Sequence, residues 1–225
     1  MDIPSSKDQL AKMIDHTLLN PAATYSEIDR LCDQAKQYGF YGVCVNPIHV
    51  KRCKEDLKTT GVKIVSVIGF PFGAIKTEAK LEEAREAIND GADELDMVIN
   101  LSALRSKDLG LVKLDIESLS SLTKGKDKLL KVIIETAYLT QQEKVIACQI
   151  AVDAGADFVK TSTGYGPSGA TVDDVKLMKA AIGNRAQIKA AGGIHDATQA
   201  IELIRAGATR IGSSHSIEIL NSFKP

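Results

Sequence analysis

Tryptophan is absent from this chain, and all aromatic residues together make up only 4% of it. A surface built to stack bases has little to work with here. Neither sign of charge is in excess: 28 lysines and arginines face 29 aspartates and glutamates, for a formal net charge of −1. No global field therefore recruits nucleic acid or an anionic membrane. No apolar run approaches the roughly 20 residues of a membrane span, and Met1 to Lys7 lacks the apolar centre of a secretion signal. The four cysteines (Cys32, Cys44, Cys53 and Cys148) form no CxxC pair and no framework spacing, so reduced thiols in a cytoplasmic protein are expected. The four histidines (His16, His49, His195 and His215) are scattered, without the HxH or HExxH spacing of a metal centre. Neither a dinucleotide fingerprint nor a P-loop is present, and no cofactor is expected.

What is there is an alternation. Strand-like apolar runs, several rich in β-branched residues, are predicted at Met13 to Leu18, Tyr41 to Asn46, Lys63 to Gly69 and Glu94 to Ile99. Four more follow at Leu129 to Glu135, Asp157 to Ser162, Gln187 to Ala191 and Thr209 to Gly212. Between them, Thr24 with Glu27 and Thr140 with Glu143 have the spacing of a capping box, and Thr171 opens a third helix. At helical spacing, Ile28, Leu31, Ala35 and Tyr38 share one face, and Val145, Ile146, Gln149 and Ile150 another. Gly91, Gly155 and Gly207 each stand between a helix and a strand, where a left-handed residue ends a helix. Eight strand–helix units, with no linker or change of composition, predict a single (β/α)8 TIM barrel over residues 1–225. An open doubly wound sheet would show the same hydrophobic pattern and is the alternative.

Barrel enzymes work at the C-terminal ends of their strands. The polar residues predicted there are Asp15, His16, Thr17, Cys44, Asn46, Asp96, Asn100, Glu135, Thr136, Lys160 and Lys189. Lys160 closes the apolar run Phe158-Val159-Lys160 just before Thr161-Ser162-Thr163-Gly164, where loss of hydration favours the neutral, nucleophilic amine. A lone lysine at a strand end is more often a surface residue with a buried stem. Lys189 on the next strand changes that expectation: two ammonium groups in one barrel mouth disfavour each other, so one of the two amines is driven toward neutrality. Asp96 alternates with Leu95 and Met97, so it points away from them and needs a cationic partner, either lysine, or a proton-transfer role. Three glycine-bearing stretches, Gly164 to Gly169, Gly192-Gly193-Ile194 and Gly212-Ser213-Ser214, offer backbone N–H groups to a phosphate. Cys44 as a thiol nucleophile has no evident histidine to orient it and is read as a buried spectator.

These residues resemble the deoxyribose-phosphate aldolase family of the short bacterial type. The matching stretches are Ile14-Asp15-His16-Thr17-Leu18-Leu19, Val43-Cys44-Val45-Asn46-Pro47, Val67-Ile68-Gly69-Phe70-Pro71-Phe72-Gly73 and Glu94-Leu95-Asp96-Met97-Val98. Val132-Ile133-Ile134-Glu135-Thr136, Phe158 to Gly164, Ile188 to Ile194 and Arg210-Ile211-Gly212-Ser213-Ser214 complete them. The resemblance implies a metal-free class I aldolase that reversibly cleaves 2-deoxy-D-ribose 5-phosphate to D-glyceraldehyde 3-phosphate and acetaldehyde. It implies that Lys160 forms the Schiff base, that Asp96 serves proton transfer and that Lys189 lowers the pKa of Lys160. It places Asp15 and Thr163 along the substrate channel, and Gly164, Gly192, Gly193, Gly212 and Ser214 around the phosphate. Three departures stand out: His215 where the family carries glycine or serine, Ser102 where a glycine is common, and no C-terminal tyrosine to move the enamine proton. A water held by Asp96 is the expected substitute for that tyrosine.

Two other functions fit a phosphate-binding barrel: an isomerase or cyclase with Lys160 as general acid, and a catalytically dead sugar-phosphate sensor. The first would form no imine, and the second would have lost a lysine or Asp96. The expected partner is a small sugar phosphate, with neither nucleic acid nor membrane, and self-association as a dimer or tetramer stays open.

Overall fold

The computed structural model describes residues 3–224; Met1, Asp2 and Pro225, which the predicted domain includes, lie outside the described residues. Eight strands form a closed barrel in sequence order, each parallel to its neighbours, with β8 pairing back onto β1. They are β1 (Ile14–Leu18), β2 (Gly42–Val45), β3 (Lys63–Ile68), β4 (Glu94–Val98), β5 (Leu129–Ile133), β6 (Phe158–Lys160), β7 (Gln187–Ala191) and β8 (Arg210–Ser213). Closure rules out the open doubly wound sheet. A short α1 (Lys7–Ala11) precedes β1. The surrounding helices are α2 (Tyr25–Tyr38), α3 (Val50–Leu57), α4 (Thr77–Asn89), α5 (Leu101–Arg105), α6 (Leu109–Lys124), α7 (Gln141–Asp153), α8 (Val172–Ile182), α9 (Ala197–Ala206) and α10 (Ser216–Ser222).

Strand alternation sorts two interiors. Outward residues such as Val43, Leu95, Met97, Val132, Ile188 and Ile211 join the helix faces in one continuous apolar layer. Burying each such side chain contributes about 1.5–3 kcal/mol. Inside the barrel the apolar content is small: Leu19, Cys44, Val65 and Val67, with Phe70 against them. Phe158 adds a ring against Lys131 and Arg210, and the charged side chains gathered at the centre of that interior set up the site.

The predicted caps form. Both capping boxes close, and the Thr171 hydroxyl accepts from the Asp174 N–H. α2 buries Ile28, Leu31 and Ala35, as its spacing predicts, and ends at Gly39 with φ 66°. α7 corrects the expectation: its buried face is Ala147, Cys148 and Ala151, whereas Ile146 and Gln149 are exposed. Small residues let this helix lie close to the sheet, and a count of large apolar side chains points to the wrong face. β6 ends at Lys160, short of the predicted Ser162, although Thr161 still donates its N–H to the Lys189 carbonyl and its hydroxyl to that of Ala191.

Candidate active site

The register stacks the charges. Asp96 of β4 lies level with Lys131 of β5, and Lys189 of β7 lies level with Lys160 of β6 on one side and Arg210 of β8 on the other. Six of the buried side chains close into a ring of alternating sign. Arg210 Nη1 donates to Asp15 Oδ1 (2.9 Å) and Glu94 Oε2 (3.0 Å). Lys131 Nζ bridges Glu94 Oε2 (2.5 Å) and Asp96 Oδ1 (2.7 Å). Lys189 Nζ bridges Asp96 Oδ2 (2.8 Å) and Asp15 Oδ2 (2.5 Å), which closes the circle. Tyr41 Oη donates to the remaining Glu94 oxygen at 2.7 Å, and its ring lies under the Arg210 guanidinium.

Three carboxylates and three basic side chains balance within this ring. Lys160 stands outside the count: its Nζ donates to Asp96 Oδ2 at 2.8 Å and is the fourth cation if protonated. A surplus buried charge is costly, and the six ring members balance one another without Lys160. A ring of this kind is weak evidence for stability, because well-packed apolar residues often serve as well or better. Its place beneath the cavity that Lys160 enters points to chemistry.

The ring also fixes who is charged. Burial alone would push the Asp15 carboxyl up, but Lys189, then Arg210 and Lys131, overcome this and hold it at about 2. Asp96 is likewise raised by burial and lowered further by Lys131, Lys160 and Lys189, to well below the usual carboxylate range. Burial would lower the Lys189 ammonium, but Asp15 and Asp96 raise it above the ordinary lysine value. Lys189 is therefore held as an ammonium. Cys44, buried beside the ring, has its thiol pushed up by desolvation and stays protonated.

A pH dependence of stability follows. Asp15 and Asp96 have depressed native values, so their contribution is complete above the unfolded value of 3.8 and is lost as pH falls toward 2. Denaturant titrations from pH 5 to pH 2 are expected to show a loss of about 1.4 kcal/mol per pH unit for each such group below pH 4. Stability that stays level down to pH 3 contradicts the ring electrostatics.

Lys160 alone of the cluster reaches a cavity. This space, about 420 Å³, is walled by Thr17, Thr163, Gly164, Gly192, Gly193 and Gly212 to His215 among others. Tyr165 covers part of the mouth by donating from Oη to the Leu19 carbonyl at 2.8 Å, a carbonyl that also accepts from Asn46 Nδ2 at 3.1 Å. Thr163, Gly164, Gly192, Gly193, Gly212 and Ser214 thus lie around the cavity that Lys160 enters. Asp15, Asp96 and Lys189 lie beneath its floor, fully buried and bonded to one another or to Lys160.

Other strand-end polar residues turn out to hold the scaffold. Asn100 caps α5, His16 bonds to Gln34, and the Glu135 carboxylate accepts from both the N–H and the hydroxyl of Thr163. Two glycines have steric reasons. A Cβ on Gly212 would sit 3.0 Å from Lys189 Cε, so the lysine needs that space to reach the ring; one on Gly169 would strike the Gly192 carbonyl oxygen at 2.0 Å. Gly169 therefore packs one loop onto the next, a role distinct from the phosphate contact expected of its stretch.

Lys131, Glu94 and Arg210 were missed by the motif reading. Their signal was available in part: Lys131 sits at an inward position of Leu-Leu-Lys-Val-Ile, the same anomaly that marks Asp96 and Lys189. Glu94 and Arg210 open their strands and carry no pattern of their own.

Known proteins resemble this chain over most of its length. Residues 9–217 match the model of the DeoC/LacD family aldolases. The deoxyribose-phosphate aldolase of Aciduliprofundum boonei is 55% identical over 96% of this chain and 97% of its own. That of Thermococcus gammatolerans is 56% identical over 94% and 95%. The solved tetrameric deoxyribose phosphate aldolase of Aeropyrum pernix superposes with a TM-score of 0.92 at 33% identity, covering 98% of this chain and 93% of that one.

Proposed function

This chain belongs to the DeoC/LacD aldolase family, and from that premise we propose that it is a deoxyribose-phosphate aldolase working through a Schiff base on Lys160. The observation that carries the residue assignment is the ring: it is neutral without Lys160, and Lys160 alone extends from it into the cavity. The free amine attacks the aldehyde carbon of open-chain 2-deoxy-D-ribose 5-phosphate, and loss of water leaves an iminium. The C3 hydroxyl gives up its proton, the C2–C3 bond breaks, and its electron pair moves into the iminium to form an enamine. D-Glyceraldehyde 3-phosphate departs. Protonation of the enamine at C2 and hydrolysis then release acetaldehyde and restore the amine.

Asp96 touches both Lys160 and Lys189, so it orients the nucleophile and passes protons through a water at the reacting carbon. Its depressed pKa makes it a transient proton carrier only. Lys189 supplies the fixed cation that completes the ring, and Asp15 anchors Lys189 from below. Thr163 and Gly164 form the wall beside Lys160. The loops bearing Gly192, Gly193, Gly212 and Ser214 would receive the non-reacting phosphate, which anchors the substrate. A dimer or tetramer belongs to the same proposal, supported by the tetrameric Aeropyrum pernix relative. Cytoplasmic location rests on four unpaired, buried cysteines, and no described helix is long and apolar enough to cross a membrane.

Coupled detection of both aldehydes from 2-deoxy-D-ribose 5-phosphate tests the reaction. The expected outcome is equimolar release of the two products at a rate that EDTA leaves unchanged, since the iminium serves as electron sink. A rate abolished by EDTA and restored by a divalent cation would overturn the Schiff-base assignment.

A further inference from the structure

We propose that His215, positioned by His195, is a specificity-determining ligand for the substrate phosphate, so that the two imidazoles make this cavity prefer phosphorylated sugars. This rests on the aldolase reading above and goes past the glycine and serine loops to a contact made by a side chain.

Histidines 20 positions apart in the sequence meet in space. The His195 and His215 rings are 4.4 Å apart between centroids and nearly perpendicular, at 77°. One follows β7 and the other follows β8, and both line the cavity that Lys160 enters, next to Gly192, Gly193 and Ser214. Their loops are tied by a hydrogen-bond chain: the His215 N–H donates to Ser213 Oγ at 2.9 Å, and that hydroxyl donates to the Ile194 carbonyl at 2.7 Å. His215 Nδ1 lies 3.2 Å from Ser214 Oγ, which leaves Nε2 for a ligand.

Charge completes the case. Among the described residues lining this cavity there is no carboxylate and no arginine; Lys160, His195 and His215 are the side chains able to carry positive charge. Lys160 is committed to the carbonyl end of the substrate. A phosphoryl dianion at the glycine loops then has backbone N–H groups and the His215 imidazole to bind it. An imidazole N–H donated to a charged oxygen is worth about tenfold in binding or more. His195 acts through His215: the nearly perpendicular packing of the two rings fixes the plane of His215, so His195 is a positioning residue.

The kinetic test compares kcat/KM for 2-deoxy-D-ribose 5-phosphate with that for 2-deoxy-D-ribose. His215→Ser is expected to lower the phosphorylated-to-unphosphorylated ratio about tenfold. His195→Ala should lower it by a smaller factor, and His195→Phe, which keeps the packing, should restore it. A ratio equal to wild type in His215→Ser overturns the proposal. Folding defects are bypassed by titrating the intact wild-type protein with inorganic phosphate and following histidine side-chain nitrogen resonances. His215 ring signals should shift and saturate while those of buried His16 and His49 stay still; no His215 response to phosphate also overturns it. A wild-type protein that cleaves neither sugar would sink the aldolase reading instead, and the imidazole response would remain readable.

Discussion

Borohydride added to the protein with acetaldehyde should leave one N-ethyl group per chain, on Lys160, with activity lost in proportion to the adduct. Three lysines crowd one carboxylate here, and the structure separates them. Lys131 and Lys189 each bridge two carboxylates and are fully buried, so neither can meet an aldehyde without breaking the ring. Lys160 holds a single carboxylate contact and lines the cavity. Peptide mass analysis after reduction decides among them, with Lys131 and Lys189 as built-in controls. An adduct on either, or none on Lys160, defeats the assignment. Lys160→Met should reduce turnover roughly 10⁴- to 10⁶-fold, the scale seen when a covalent nucleophile is removed. Stability should change little, since the six-membered ring stays balanced.

Lys189→Leu should have the second largest effect, and the charge count says why. Three carboxylates would then face Lys131, Arg210 and Lys160, so Lys160 becomes the third cation the ring requires and is held as an ammonium. An ammonium has no lone pair for a carbonyl. Turnover near neutral pH is expected to fall roughly 10²- to 10⁴-fold and to recover as pH rises toward the ordinary lysine value of about 10.4. Breaking buried pairs also costs about 3–5 kcal/mol. Asp15 keeps Arg210, and Asp96 keeps Lys131 and Lys160, which favours a folded variant that circular dichroism can verify. The readout that matters is the pH–rate profile. A profile of wild-type shape at uniformly lower rate would show that Lys189 acts by position alone.

Together these variants address both halves of the catalytic proposal, the identity of the nucleophile and the reason its amine is free. The ring geometry also refines the expectation drawn from two adjacent lysines. Like-charge repulsion between a pair was the simple form of the idea. The structure replaces the pair with a seven-member cluster in which Lys160 alone is unmatched.

Much of this is legible in the sequence. The alternation of apolar runs and capped helices depends on local periodicity, which each segment carries by itself, so the eight units could be counted directly. Lys160, Asp96 and Lys189 announced themselves as charges in buried strands, a local anomaly that needs no tertiary information. α7 was misread because alanines and a cysteine, weak signals on any hydrophobic scale, form the face that packs.

Closure, partnership and proximity were different in kind. Hydrophobic pattern is the same for a closed barrel and an open sheet, and only the β1–β8 pairing distinguishes them. Glu94 and Arg210, which open strands 116 residues apart, meet at 3.0 Å because the barrel brings β4 and β8 across one interior. His195 and His215, scattered by sequence spacing, touch because successive strand ends are neighbours on the rim. The sequence by itself determined the strand–helix units, the inward side of each strand and the suspect lysines, since those follow from periods of 2 and 3.6 residues. The tertiary structure decided which carboxylate each cation answers to and which lysine is left over, because a charge count closes only when every member of the cluster has been brought within reach of the others.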